Sequence, residues 1–194
     1  TTRPRRRPRI RRIPPATEPR ARAIARLAYF GLPLGALLLR EDGHELVYVG
    51  LSRKNSPGTR RIRRFYPDAR LVPALGKDDE VERIRVAAPE LLVSWFFPKK
   101  IPARVLALAP KGAFGVHPSL LPRHRGPDPY YWAIARGDAE TGVTAHLLRA
   151  EYDTGEILRS RRLAIDPAWS AWTLAKKLDR PSLALLRAIV KESE

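Results

Sequence analysis

Short apolar segments alternate with helical stretches along nearly the whole chain after residue 24. The apolar segments are rich in β-branched and aromatic residues, which favour strands. Strands that alternate with helices pair in parallel, because a parallel connection has to cross over and a helix is the usual crossover. The sequence therefore predicts an α/β fold with a mostly parallel sheet and helices on both faces. Strands are predicted at 27–30, 45–50, 91–95, 113–117 and 143–148, with an edge element at 159–165.

One helix has clear signals at both ends. Asp78, Asp79 and Glu80 begin a helical run that extends through Ala88. Acidic residues favour the positive end of the helix dipole, and Pro89 stops the run. We therefore expect a helix at 78–88.

Two segments contain residues that disturb a simple pattern. The closing helix is predicted at 169–191, but Pro181 removes a backbone donor inside it, so we expect a break into two helices near Asp179. The segment 31–35 (GLPLG) follows the first strand but lacks the G-x-G-x-x-G spacing of a dinucleotide site. We expect it to be a tight connection from strand to helix.

Length and composition favour one domain behind a basic tail. The chain has 194 residues, 44% of them hydrophobic, and contains no cysteine. These values fit one core without disulfides or thiolate metal sites, and we expect a cytoplasmic protein. No apolar run approaches the about 18 residues of a membrane-spanning helix, so we expect no membrane partner. The expected units are a flexible tail at 1–22 and a folded domain at 23–194.

The tail carries nearly half of the excess charge. The chain has a net charge of +17, and residues 1–22 hold nine arginines against one glutamate, which leaves +8. An Arg- and Pro-rich segment buries too little apolar surface to fold alone. It is either a solvated extension or a contact for RNA or another anionic surface.

The segment 115–158 has the pattern of a functional site. His117 and Ser119 lie two residues apart at the end of a predicted strand, where both side chains would leave one face of the sheet and could meet one ligand. Four prolines and a glycine then predict a fixed loop. Asp153 follows the next predicted strand, in an Asp-Thr-Gly turn, and its carboxylate could return toward His117.

These residues resemble the formyltransferases that use 10-formyltetrahydrofolate. Five ordered blocks carry the resemblance, which extends more weakly from about residue 24 to about residue 190: His117 to Pro122, Arg125 to Pro129, Trp132 to Ile134, Thr141 to Thr144 and Asp153 to Gly155. The resemblance implies a Rossmann-like catalytic domain of the formyltransferase type without the C-terminal barrel domain that the methionyl-tRNA enzymes carry. It also implies transfer of a formyl group from 10-formyltetrahydrofolate to a primary amine.

The resemblance assigns roles to individual residues. His117 and Asp153 are the catalytic candidates: the imidazolium of His117 would stabilise the oxyanion, and Asp153 would orient the ring and raise its pKa. The family has a catalytic asparagine two residues before the histidine, where this chain has Gly115. The folate-binding candidates are Phe97, Ser119, Leu120, Leu121, Pro122, Arg149 and Tyr152.

Several alternatives stay open. The acceptor is a small amine such as an amino-sugar nucleotide, or methionyl-tRNA, or the chain is an impaired homologue that binds folate or a partner, because Gly115 replaces the asparagine. An aspartic protease would leave the block around His117 without a role. A metal hydrolase built on His117, His124, His146 and Asp153 lacks a metal-ligand helix, so no metal is expected. The oligomeric state is not predicted.

Overall fold

A computed structural model describes residues 25–53 and 56–193. The predicted tail at 1–22 and its boundary lie outside the described residues. The strands are β1 (Arg26–Gly31), β2 (Glu45–Leu51), β3 (Arg70–Leu71), β4 (Leu91–Trp95), β5 (Ala113–His117), β6 (Glu140–Leu147) and β7 (Ile157–Ala164). The helices are α1 (Pro33–Glu41), α2 (Thr59–Phe65), α3 (Asp78–Ala87), α4 (Ala103–Leu106), α5 (Pro129–Ala135) and α6 (Ala171–Glu192).

The strands form one seven-stranded sheet in the order β3-β2-β1-β4-β5-β6-β7. The pairs from β3 to β5 are parallel, whereas β6 and β7 pair antiparallel at one edge. The chain order reverses beside β1, which opens a crevice at the carboxyl ends of the parallel strands, where ligands of such sheets bind. The prediction of a mostly parallel sheet is confirmed.

Helices cover both faces of the sheet, as predicted. One apolar cluster joins α1, α5 and α6 to one face, and it includes Trp95, Phe114 and Val116. A second cluster joins α3 and α4 to the other face through Ile84 and Val105. Because side chains alternate along β5, its remaining residues face the second side, and these include the candidate site residues.

The predicted strands are present, with small shifts at their ends. The predicted segments 91–95 and 113–117 coincide with β4 and β5. The segment predicted at 143–148 begins earlier, at Glu140, and the edge element is the long strand β7, which is exposed along nearly its whole length. The short strand β3 was not predicted, since two residues show no periodicity.

The prediction of a broken closing helix is wrong. Helix α6 is continuous from Ala171 to Glu192 with Pro181 inside it. A proline inside a helix costs about 3 kcal/mol, but each leucine buried against the sheet contributes about 1.5–3 kcal/mol. Ser182 also joins this region to the sheet, because Trp95 Nε1 donates to Ser182 Oγ at 2.9 Å. The buried apolar side chains on both sides of the proline are Leu174, Leu178, Leu183, Leu185, Leu186, Ile189 and Val190.

Two local predictions are confirmed. Helix α3 begins with the acidic turn and ends before Ala88, which has a positive φ of 48° and precedes Pro89. The segment 31–35 connects β1 to α1 directly, since the helix begins at Pro33. Within the described residues, no helix combines the length and low polarity needed to cross a lipid bilayer.

Candidate active site

The candidate site lies at the carboxyl end of β5. His117 is the last residue of that strand, and the proline-rich loop 118–128 follows it. Three hydrogen bonds fix the start of the loop: Ser119 Oγ donates to Arg123 O at 2.7 Å, Thr144 Oγ1 donates to Ser119 O at 2.7 Å, and Leu121 N donates to Thr144 Oγ1 at 3.2 Å. The loop is therefore tied both to itself and to β6.

Asp153 comes to this place from the connection between β6 and β7. It has a positive φ of 52°, and its Oδ2 accepts a hydrogen bond from Gly126 N at 2.8 Å. Gly155 packs so closely on β6 that an added Cβ would lie 1.8 Å from Leu147 O. Only glycine fits there, so the Asp-Thr-Gly turn holds the carboxylate against the loop.

The structure brings His117 and Asp153 together, as the sequence suggested. His117 Nδ1 lies 3.3 Å from Asp153 Oδ2. A second histidine, His146, places its Nε2 3.4 Å from the other carboxylate oxygen, Oδ1. Both rings are almost fully buried, and the Asp153 side chain is 14% exposed. One carboxylate thus lies between two imidazoles.

Backbone carbonyls occupy the other nitrogen of each ring. His117 Nε2 donates to His124 O at 2.8 Å, and His146 Nδ1 donates to Leu147 O at 2.9 Å. A carbonyl oxygen only accepts, so these two nitrogens carry the protons of the neutral rings. The nitrogens that face Asp153 are protonated only when a ring becomes an imidazolium.

The surroundings of His117 and Asp153 set the pKa values, and therefore the charges, of these two side chains. Burial lowers the pKa of His117 below 6.5, and it outweighs the Asp153 carboxylate, which raises that pKa. The predicted effect of Asp153 on this pKa is therefore present, but the net shift is downward. Burial raises the pKa of Asp153, but hydrogen bonds from His146 and Gly126 and the charge of His117 together bring it below 3.8. Near neutral pH the site holds a carboxylate beside a neutral His117.

His124 is the third histidine of this region. Its Nε2 lies 2.6 Å from Asp138 Oδ2, and its side chain is 5% exposed. It also has a positive φ of 51°. The loop that follows His117 therefore contains a buried ion pair or charge-assisted hydrogen bond of its own. Although three histidines and two carboxylates lie in this region, no group of three such side chains among the described residues is arranged to hold a metal ion.

Gly115 lies beside the site, at the position of the missing asparagine. It is paired with Ser94 on β4 and with His146 on β6. A Cβ added there would lie 3.0 Å from Leu148 Cδ2 and 3.6 Å from Ser94 Cβ. The flexible end of Leu148 therefore narrows the space that a side chain at position 115 would occupy. Ser94 borders the same space.

Two segments that contain predicted folate-binding residues, 97–100 and 149–152, approach each other. Tyr152 Oη donates to Pro98 O at 3.4 Å, and Lys100 Nζ lies 5.1 Å from the centre of the Tyr152 ring. Tyr152 and Arg149 are both exposed. Phe97 instead packs against Phe30 in the second apolar cluster, at 5.4 Å between ring centres.

The other predicted folate-binding residues lie in the loop after His117. Ser119 is fully buried and its hydroxyl is engaged within the loop, so His117 and Ser119 do not face a common open space. Leu121 is buried, Leu120 packs near Gly142 of β6, and Pro122 is exposed. These residues shape the loop that follows His117.

His146 was not predicted as a partner of Asp153. From the sequence it was a candidate only as a metal ligand. The alternation along β6 contained the signal, because His146 lies on the face opposite the apolar Val143 and Ala145. A histidine on the face shared with Gly115 and His117 is placed to meet them.

The comparisons with known proteins identify the family of the chain. A family model described as formyl transferase matches residues 46–190. Three-quarters of the chain is thereby covered, and the chain belongs to the formyl transferase family.

Solved structures share the fold. Glycinamide ribonucleotide transformylase 1 from Symbiobacterium toebii aligns with a TM-score of 0.70 at 21% identity, over 87% of this chain and 85% of that chain. A phosphoribosylglycinamide formyltransferase from Streptococcus pneumoniae gives a TM-score of 0.74 at 15% identity, over 87% and 98%. A sugar N-formyltransferase from a Shewanella species gives 0.67 at 18% identity, over 88% and 70%.

Proposed function

We propose that this protein transfers a formyl group from 10-formyltetrahydrofolate to the primary amine of a small acceptor such as an amino-sugar nucleotide. The observation that carries the proposal is the pair of His117 and Asp153, which lie 3.3 Å apart at the carboxyl edge of the sheet. A buried pair of titratable groups in a crevice is typical of a catalytic site. Membership of the formyl transferase family supports the type of reaction.

Formyl transfer requires one proton to move from the attacking amine to the leaving nitrogen of the donor. Neutral His117, with its proton on Nε2, offers the Nδ1 lone pair to the amine proton as the bond from nitrogen to the formyl carbon forms. The imidazolium that results is stabilised by Asp153 and donates from Nδ1 to the negative charge that develops on the formyl oxygen. His117 then returns the proton to the donor nitrogen as the old carbon–nitrogen bond breaks. The protein ends in its starting state.

The second carboxylate contact gives His146 a supporting role. Its Nε2 lies 3.4 Å from Asp153 Oδ1 and its Nδ1 is bound to Leu147 O, so neither nitrogen is directed to solvent. We propose that His146, as an imidazolium, donates from Nε2 to Asp153 Oδ1 and so orients the carboxylate, as the Gly126 N–H does from the other side. The carboxylate of Asp153 is then held in place to stabilise the imidazolium of His117.

The residues of the crevice fit a folate donor. Such a donor supplies an activated formyl group, a flat aromatic ring system and a tail with carboxylates. Tyr152 provides an exposed aromatic ring. Lys100 provides a cation close to that ring in space, and Arg149 provides a cation close to Tyr152 in the sequence. Aromatic faces and cations are the groups that such a molecule needs.

Gly115 supports a second candidate, a homologue that binds folate or a partner without efficient catalysis. The loss of one oxyanion donor costs about 10²- to 10³-fold in rate. Ser94 borders the vacated space but is a shorter side chain than asparagine. The two candidates differ in whether the remaining residues suffice for turnover.

The first experiment tests donor binding. Calorimetric titration with a stable 10-formyltetrahydrofolate analogue should show saturable binding that weakens in His117→Ala. An exposed substitution such as Asp68→Asn serves as the control that leaves binding unchanged. Absence of binding would contradict both formyl transfer and a folate-binding homologue, and would leave a homologue that binds another partner.

The second experiment separates the candidates. Gly115→Asn is combined with Leu148→Ala, because an asparagine at 115 meets Leu148 at 3.0 Å. The wild-type chain should form formylated product from amino-sugar nucleotides, and the double variant should be about 10²-fold faster. If the analogue binds but neither form yields product with sugar amines or methionyl-tRNA, the binding homologue is the correct reading.

A further inference from the structure

His124 contacts two functional groups at once. Its side chain is bound to Asp138 at 2.6 Å, and its backbone carbonyl accepts from His117 Nε2 at 2.8 Å. The ring is nearly inaccessible, and Asp138 is 20% exposed. A short contact between buried charged or polar groups is stronger than a neutral one at the surface. The position of the carbonyl is therefore coupled to the side-chain pair.

The backbone of His124 is not in its most favourable conformation. A φ of 51° is uncommon for a residue with a side chain, although histidine, asparagine and aspartate adopt it more readily than others. Such a conformation persists where surrounding contacts enforce it. The contact with Asp138, which follows α5, is the side-chain contact that holds His124 in place.

The same loop also fixes the other half of the catalytic pair. Gly126, two residues after His124, donates its N–H to Asp153 Oδ2 at 2.8 Å. The loop segment 124–126 thus presents an acceptor to His117 and a donor to Asp153. A displacement of this segment would change both contacts together.

We propose that His124 and Asp138 are a positioning pair that determines which nitrogen of His117 reacts. The pair holds the His124 carbonyl against Nε2, so the neutral ring carries its proton there and leaves the Nδ1 lone pair free to accept the proton of the substrate amine. The importance of this for turnover rests on the proposed formyl transfer, whereas the assignment of the proton does not. Without the pair, the carboxylate of Asp153 is the stronger acceptor and the proton moves to Nδ1.

The experiment reads the proton position directly. Nitrogen-15 spectra of the imidazoles distinguish protonated from unprotonated ring nitrogens, and the chain has only four histidines. His117→Ala identifies the signals of His117. The variants are Asp138→Ala and His124→Asn, the second chosen because asparagine tolerates a positive φ. Asp138→Asn is the conservative variant, since its side-chain carbonyl still accepts from His124, and Asp68→Ala is the exposed control.

We expect neutral wild-type His117 to carry its proton on Nε2. In Asp138→Ala and in His124→Asn the proton should shift to Nδ1, with a change of at least about tenfold in the ratio of the two forms, equivalent to about 1.4 kcal/mol. Asp138→Asn should resemble the wild type. In the proposed reaction, kcat should fall about tenfold to a hundredfold with KM nearly unchanged in the two disruptive variants, and Asp138→Asn should restore it.

Three results would overturn the proposal. The first is a wild-type His117 with its proton on Nδ1. The second is an unchanged proton position in both disruptive variants, each checked for folding by its thermal unfolding. The third is a shifted proton with unchanged kcat, which would remove the effect on the reaction. If the wild type transfers no formyl group, the proposed function fails, while the spectra still decide whether the pair sets the proton position.

Discussion

Two carboxylates of this protein are largely withdrawn from water, and their partners differ. Glu80, on α3, accepts from Tyr48 Oη at 2.9 Å and pairs with Arg70 at 3.1 Å. Asp153 accepts from a backbone N–H at 2.8 Å and faces His117 and His146 at 3.3 and 3.4 Å. One carboxylate is bound by a permanent cation and the other by two groups that gain and lose protons.

The comparison shows how partners separate structural from reactive acids. A guanidinium stays charged at any pH that a folded protein experiences, so the cation that faces Glu80 is constant, and the contacts of Glu80 link α3 to the sheet. An imidazole changes charge near neutral pH, so the surroundings of Asp153 can accept and release a proton. Burial alone does not identify the reactive carboxylate.

The largest effect is expected for Asp153→Asn. The amide still accepts from Gly126 N but no longer stabilises the imidazolium of His117, so kcat should fall about 10³-fold, equivalent to about 4 kcal/mol. The free energy of unfolding should change by less than about 1 kcal/mol. Formyl-transfer assays and urea unfolding measure the two quantities, with Asp68→Asn as the exposed control. A loss of stability without loss of turnover would make Asp153 structural.

Glu80→Ala should show the opposite behaviour. Removal of the carboxylate leaves the buried hydroxyl of Tyr48 without its acceptor, which costs about 2 kcal/mol, whereas Arg70 is 44% exposed and stays solvated. Urea unfolding should show this loss, while kcat stays within about twofold under native conditions. Glu82→Ala on the same helix is the matched control, because the pair of Glu82 with Arg85 is exposed and contributes less than about 1 kcal/mol. Equal losses in the two variants would contradict the structural role of Glu80.

Tyr48→Phe tests the contacts of Glu80 with a smaller change. The hydroxyl that donates to Glu80 Oε1 is removed while the ring remains packed against Phe30. A hydrogen bond to a charged group contributes about 1.5 kcal/mol, so the free energy of unfolding should fall by that amount. Tyr131→Phe, at an exposed ring, provides the control in thermal unfolding. No measurable change would mean that Arg83, 3.8 Å from Glu80 Oε1, replaces the hydroxyl.

The pH dependence should show the smallest effect near neutral pH. Burial lowers the pKa of His117 below 6.5, and the base form is the proposed reactive one, so kcat should remain within about twofold from pH 8 to pH 6.5 and fall only in more acid solution. Acceptors with different amine pKa values separate this fall from protonation of the amine. A kcat that rises as pH falls would show that the imidazolium is the starting form.

The free energy of unfolding should also fall in acid solution. The folded chain binds fewer protons at His117 than the unfolded chain below pH 6.5, and fewer at Asp153 below pH 3.8, because both pKa values are lowered. The free energy of unfolding therefore falls as pH falls through these ranges. Unfolding curves of the wild type and of His117→Ala between pH 8 and pH 4 measure the histidine contribution.

Much of the fold could be predicted because its signals are local. Both ends of strands β4 and β5 were predicted correctly, since a mainly apolar run with proline or glycine near its ends is recognised from neighbouring residues alone. The closing helix shows where local reading failed. Pro181 predicts a break, but the leucines on both sides are buried against the sheet, and their packing energy is not visible in the local sequence.

The candidate site was predicted in part for the same reason. His117 and Asp153 were identified because each ends a recognisable block, and the resemblance to a family joined the two blocks. His146 and His124 were not identified as their partners, because their contacts depend on a strand register and on a backbone carbonyl. The register that places His146 opposite Gly115 is set by the pairing of β5 with β6.

The amino-acid sequence by itself determined the alternation of strands and helices, the stiff loop after His117 and the type of residue available for chemistry. These properties follow from the periodicity of apolar residues and from the restricted backbone of proline and glycine, which act over a few residues. The tertiary structure alone decided which carboxylate is paired with histidines, which with arginine, and which imidazole nitrogen carries a proton. Those properties depend on burial and on distances of about 3 Å between residues far apart in the chain, and both arise only when the sheet and its loops are assembled.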